Sequence, residues 1–171
     1  GRDWLGQRRS ERGLVVYLAT EAPGPCRFRT RTWQLHHGCV APMFFIVRTP
    51  VNLWDGYADT QRVIDLVKSL ESEHGEKCVL IVGDTWASMT PGANENSGED
   101  MGLALTHVAV VRDECDAHVM LVAHLGKDES RGLRGWSGVR AAADTVLEVN
   151  TEKGTGHRTL SVSKQRDLAS V

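Results

Sequence analysis

The chain of 171 residues is 41% hydrophobic and 25% charged, with 20 Lys+Arg against 22 Asp+Glu and a formal net charge of −2. A length in the usual one-domain range, with apolar and charged fractions near the globular average, excludes wholesale disorder and leaves room for a packed core. The near-neutral balance excludes a basic tail-type nucleic-acid binder, so any polyanion site has to come from local clustering.

No apolar run approaches the roughly 20 residues that span a bilayer, and Gly1–Trp4 does not open a signal peptide. The sequence starts at Gly1 rather than Met, which reads as a fragment boundary. Cys26, Cys39, Cys78 and Cys115 form no C-x-x-C pair and read as buried thiols of a reducing compartment. The expectation is one cytoplasmic domain over residues 1–171, with no membrane partner.

In chain order, Leu14–Thr20 reads as a buried strand, Cys26–His37 as a helix and Met43–Arg48 as a second strand. Tyr57–Ser72 carries Val63, Leu66, Val67 and Leu70 at helical spacing. Cys78–Asp84 is a third strand, apolar until its end. Ser97 caps a helix that runs to about Glu114, with Asp100 favouring its N-terminal dipole and Leu103, Val108 and Val111 toward the core. Ala117–His124 is a fourth strand, Lys127–Gly138 a polar loop, and Val139–Ala143 a short helix. Thr145–Asn150 and Thr159–Lys164 flank a glycine-containing turn as a C-terminal hairpin.

Strands alternating with helices imply parallel βαβ units, and strands apolar on both faces imply a sheet covered on both sides. The fold class is α/β, doubly wound. Ligands of such sheets bind beyond the carboxyl ends of the strands, where this sequence places Glu21, Asp84, His124 and the pair Lys164/Arg166.

Asp84 has the pattern of an aspartate that holds Mg²⁺ through water, although an acid after a buried strand is also ordinary turn chemistry. Glu21 can orient and deprotonate a water, or be a plain loop acid before Pro23. His124 can sense a phosphate, or be structural. Lys164 and Arg166 leave one face of their strand as a cationic clamp, or form a basic edge that discourages strand pairing.

The segments VYLATEA (Val16–Ala22), VLIVGDTWASM (Val79–Met89), ENSGEDM (Glu95–Met101), LVAHLGKDESRGLRG (Leu121–Gly135), VRAAADTVLEV (Val139–Val149) and SVSKQRD (Ser161–Asp167) occur in that order. With them the sequence resembles the RecA/DnaB-like ATPases, and within those the RepA-type plasmid and phage helicases. The resemblance implies a RecA-like, mostly parallel sheet, ATP and Mg²⁺ as cofactors, and assembly as a homo-oligomer or with a full-length homologue. It implies Glu21 as the catalytic glutamate, Asp84 as the Mg²⁺ ligand and His124 as the sensor. Lys164 and Arg166 become trans-acting residues, Arg166 the finger that reaches the next subunit's nucleotide. Lys127, Arg131 and Arg134 become contacts to single-stranded DNA, or remain a solvated loop.

The phosphate-cradling motif G-x-x-x-x-G-K-[ST] of these enzymes does not occur in the 171 residues; the one Gly-Lys pair, Gly126-Lys127, is followed by Asp128. By the resemblance that strand and loop would precede Gly1. The expectation is therefore a domain inactive on its own, with a non-catalytic interaction module as the alternative. Its sheet would close over the gap, accept a partner strand or open into an edge. Gly83, where the family has an aliphatic residue, is expected to loosen its strand, and Trp136 is a bulky residue in a polar stretch.

Overall fold

The structure is a computed structural model that describes residues 3–4, 8–9, 11–21, 23–124, 134–152 and 154–166. A short antiparallel pair, β1 (Asp3–Trp4) and β2 (Arg8–Arg9), precedes the main sheet. The sheet is built from β3 (Leu14–Ala19), β4 (Phe44–Val47), β5 (Cys78–Asp84) and β6 (His118–Val122), all parallel, in the order β4-β3-β5-β6. The connections are α1 (Pro23–His37), α2 (Ala58–His74) and α3 (Gly98–Cys115). A short α4 (Gly138–Ala142) then leads into the antiparallel hairpin of β7 (Thr145–Thr151) and β8 (Arg158–Gln165).

The strand order fixes the layers. From β3 the chain moves outward to β4, then crosses back over β3 to β5 and onward to β6. Right-handed crossovers in these opposite directions place α1 on one face of the sheet and α2 with α3 on the other. Side-chain parity agrees. Val16, Leu18 and Ile81 point into one core with Val63, Ile64 and Val67 of α2 and Val111 and Cys115 of α3, whereas the Tyr17 phenol, on the opposite face, has Cys26 and Arg29 of α1 near it. The architecture is the RecA-like, doubly wound α/β sheet that the sequence implied.

Coverage of the two faces is unequal. The α2–α3 face is closed, while on the α1 face Ala19 and Val82 are buried but Val15, Tyr17 and Leu80 are only half-buried. Among the described residues the four strands form one unbroken parallel sheet in which β5 pairs directly with β6, so the strands close over the expected gap; β6 pairs with β5 alone, and the hairpin forms a sheet of its own. One face of the hairpin presents Leu147 opposite Val162 and Val149 opposite Leu160, all four exposed.

Several sequence expectations are corrected in detail. The first helix starts at Pro23, which has no amide hydrogen to lose in a first turn. Ser97 caps α3 as expected, its hydroxyl accepting from the Asp100 amide at 3.2 Å. The buried side of α3, however, is Met101, Ala104, His107, Val111 and Cys115; Leu103 is 47% exposed and Val108 half-buried. Cys26, Cys78 and Cys115 are buried thiols, but Cys39 is exposed beyond the end of α1. Burial raises the Cys115 thiol to about 11. No helix among the described residues is long and apolar enough to cross a membrane.

Gly83 does not loosen its strand. A side chain there would meet Met89 Sδ at 2.5 Å, so the missing methyl group is the space into which the Met89 thioether packs. Trp136 is also accounted for. It packs against the cluster of Trp86, Met101 and Ala104, and its amide donates to the Glu95 carbonyl at 2.7 Å. Gly135 makes this return possible. Its φ is +95°, and a Cβ would lie 2.6 Å from the Glu95 carbonyl oxygen.

Candidate functional site at the strand ends

The strands β3 and β5 are neighbours whose outgoing connections leave for opposite faces, so the crevice beyond their carboxyl ends is the topological switch point of the sheet. Asp84 is the last residue of β5 and pairs in register with Ala19, and Glu21 lies two residues further along from Ala19. The backbone ties the two ends together. The Asp84 carbonyl accepts from the Thr20 amide at 2.8 Å, the Thr20 hydroxyl at 2.9 Å and the Glu21 amide at 3.2 Å. Strand β6 joins the same end, its Val122 carbonyl accepting from the Trp86 amide at 2.8 Å. The Asp84–Thr85 peptide bond is cis.

The side chains divide into two pairs. His124 Nε2 lies 3.6 Å from Glu21 Oε2, both exposed, an ion pair whenever the imidazole is protonated. Asp84 is half-buried, and its Oδ2 accepts from the Tyr17 hydroxyl. Burial first, and then the Asp84 carboxylate it bonds, push the Tyr17 phenol well above its usual range, so it is a neutral donor throughout the physiological range. The Tyr17 ring is itself held against Phe44, with centroids 5.8 Å apart. One carboxylate oxygen of Asp84 is thus fixed from within the sheet.

Tyr17 escaped the sequence reading because it sits mid-strand among apolar residues. Its signal was parity: two residues before Ala19, it shares a face with Ala19 and, across the pair, with Asp84.

Mg²⁺ takes oxygen ligands, keeps several waters and is held by one or two carboxylates together with phosphate oxygens. Asp84 and Glu21 are donors of that kind at one crevice. Among the described residues no group of three His, Cys, Asp or Glu forms a metal cage. Two carboxylates at one crevice are the kind of donors that Mg²⁺ combines with phosphate oxygens.

Lys164 and Arg166 are engaged by α4, whereas the Arg134 amide donates to the His124 carbonyl at 3.4 Å. Lys164 Nζ donates to the carbonyls of Arg140, Ala141 and Ala143 at 3.0, 2.7 and 2.6 Å. Arg166 donates to those of Ala141 and Ala142, each at 3.2 Å, and pairs with Asp144 at 2.7 Å. Both cations thus sit at the C-terminal end of α4 in their own chain, where unpaired carbonyls favour positive charge. Arg134 pairs with Glu95 at 2.7 Å. Lys127 and Arg131 lie outside the described residues.

A family model described as an AAA domain matches residues 1–130. The chain belongs to the AAA-domain family. Nucleotide and Mg²⁺ dependence is general in AAA ATPases, and this AAA domain is accordingly ATPase-like. No curated protein matches the chain. The matched span contains β3, β5 and β6 with Glu21, Asp84 and His124, whereas Lys164, Arg166 and the hairpin lie beyond it.

Proposed function

We propose that this AAA domain is the ATPase domain of a RepA/DnaB-type DNA helicase serving plasmid or phage replication, with its reaction centre at the crevice of β3 and β5. The observation that carries the reading is the meeting of Glu21 and Asp84 at adjacent strand ends, with His124 against Glu21. Asp84, with one oxygen held by Tyr17, offers the other to a cation. Glu21 accepts the proton of a water and orients it, and His124 exchanges its contact with Glu21 for one with phosphate. A bound Mg²⁺ would supply neutralisation of developing phosphoryl charge. In a homo-oligomer, or beside a full-length homologue, Lys164 and Arg166 trade their α4 carbonyls for phosphate oxygens of a neighbouring subunit. Lys127, Arg131 and Arg134 are the contacts to single-stranded DNA.

Without G-x-x-x-x-G-K-[ST], the 171 residues alone are expected to leave ATP unhydrolysed, because positioning and charge neutralisation are most of phosphoryl-transfer catalysis. A titration with a fluorescent ATP analogue, with and without Mg²⁺, tests the site. Binding that needs Mg²⁺, is lost in Asp84→Asn and persists in Glu21→Gln supports it. Tyr17→Phe should raise the Mg²⁺ concentration required by about ten-fold, the usual cost of losing a group that orients a ligand. Turnover that Glu21→Gln abolishes would overturn the expected inactivity, and binding indifferent to Asp84 would overturn the metal assignment.

The open β6 edge and the exposed apolar face of the hairpin favour a second reading, a non-catalytic RecA-fold interaction module. A discrete dimer formed without nucleotide, with no nucleotide bound, would decide for it.

A further inference from the structure

From Ala22 to Trp54 the sequence contains no Asp or Glu, while Arg27, Arg29, Arg31 and Arg48 stand in that stretch of a chain whose net charge is −2. Three of these arginines lie on α1, and all are exposed. Helical spacing places Arg27 and Arg31 on one flank of Phe28 and Leu35, and Arg29 and His36 on the other. Phe28 is 78% exposed and Leu35 66% exposed. Beside Phe28 an open groove is lined by Phe28, Arg29, Thr32, Trp33, His36 and His37. The Trp33 ring lies against that of His37, with centroids 4.7 Å apart.

We propose that α1 is a docking surface for single-stranded nucleic acid, with Phe28 and Trp33 as stacking platforms and Arg27, Arg29 and Arg31 on the backbone phosphates. Exposed rings with Arg29 in the groove beside them, and Arg27 and Arg31 on the other flank of Phe28, offer what an unpaired strand requires, because every base has a π-face and every linkage a negative charge. A duplex hides its base faces and would use only the charge. A lipid surface fits less well, because a membrane-surface helix buries a broad apolar face, whereas Phe28 and Leu35 form a narrow stripe with arginines on both sides. The surface does not include Lys127, Arg131 or Arg134, and the proposal does not rest on the nucleotide site.

Fluorescence anisotropy of a labelled oligo(dT) across a KCl series tests it with the whole chain. The logarithm of affinity should fall with the logarithm of salt at about −0.7 per phosphate contact, hence about −2 for three arginines. Arg29→Glu combined with Arg31→Glu should weaken binding more than about ten-fold and flatten that slope. Phe28→Ala and Trp33→Ala should each weaken it by about ten-fold with the slope unchanged. Phe28 is so exposed that its variant tests the stacking even if Trp33→Ala does not fold.

Any of four results would overturn the proposal. These are no oligo(dT) binding at low salt, binding abolished by alanine at Lys127, Arg131 and Arg134 but indifferent to α1, a duplex competing as well as the single strand, and preference for phosphatidylserine vesicles.

Discussion

The helices α1 and α2 have 15 and 17 residues and flank the same sheet from opposite faces, yet they are held in different ways. On α2, Thr60 is buried, Val63, Ile64 and Val67 are buried in one core with residues of β3, β5 and α3, and Gly75 in the left-handed region closes its end. On α1, only Cys26 among the described side chains is buried, and Phe28, Trp33 and Leu35 face water. Full burial of a Val or Ile side chain contributes about 1.5–3 kcal/mol, so α2 is fastened by tertiary packing and α1 largely is not. Most of the α1 side chains are therefore free to serve contacts other than the core.

The sharpest way to break this comparison is to truncate matched positions. Ile64→Ala should cost about 2–5 kcal/mol in urea unfolding, and Leu35→Ala less than about 0.5 kcal/mol. Equal losses would show that α1 is packed as firmly as α2.

A second substitution probes the sheet to which both helices are fixed. A Cβ at Gly13 would lie 2.5 Å from Val79 Cγ1 and 2.6 Å from the Lys77 carbonyl oxygen, and backbone cannot swing aside as a side chain can. Gly13→Ala should therefore cost about 1–3 kcal/mol, read as a lower unfolding midpoint at unchanged slope.

The smallest expected effect concerns the joint between α2 and β5. Burial alone would raise the Glu71 carboxyl. The Cys78 amide at 2.9 Å and the Lys77 ammonium at 3.3 Å outweigh it and hold the group below its ordinary 4.5. A folded-state value lowered in this way means that the unfolded chain binds more protons over that interval. The contribution is complete above about pH 4.5 and disappears as pH falls through the folded value. Glu71→Gln should thus be less stable than the parent at neutral pH, with the difference fading in acid. A difference independent of pH would assign the effect to packing instead.

Much of the main sheet was legible from local pattern. Apolar runs at Leu14, Phe44, Cys78 and Val119 became strands, and Ser97 with Asp100 marked the start of α3, because these signals act within a few residues. The inward face of α3 was legible only in part: Val111 is buried as expected, but Leu103 is not. Leu103 and Met101 are both plausible core residues, and the packing of Trp86 and Trp136 around Met101 decided between them. Gly83 read as a weakness until the Met89 thioether, six residues on, was found in its place.

At the candidate site the sequence by itself determined which polar residues follow buried strands: Glu21, Asp84 and His124. It also determined that no phosphate-cradling glycine-rich motif lies within the 171 residues. Tertiary structure decided which of those ends are neighbours, because strand order depends on crossovers that no local pattern encodes. It also decided that Tyr17 holds Asp84, that Lys164 and Arg166 turn back onto α4, and that the basic, aromatic face of α1 stays open. Such pairings bring together residues 21 to 103 positions apart, and only folding brings them within reach of one another.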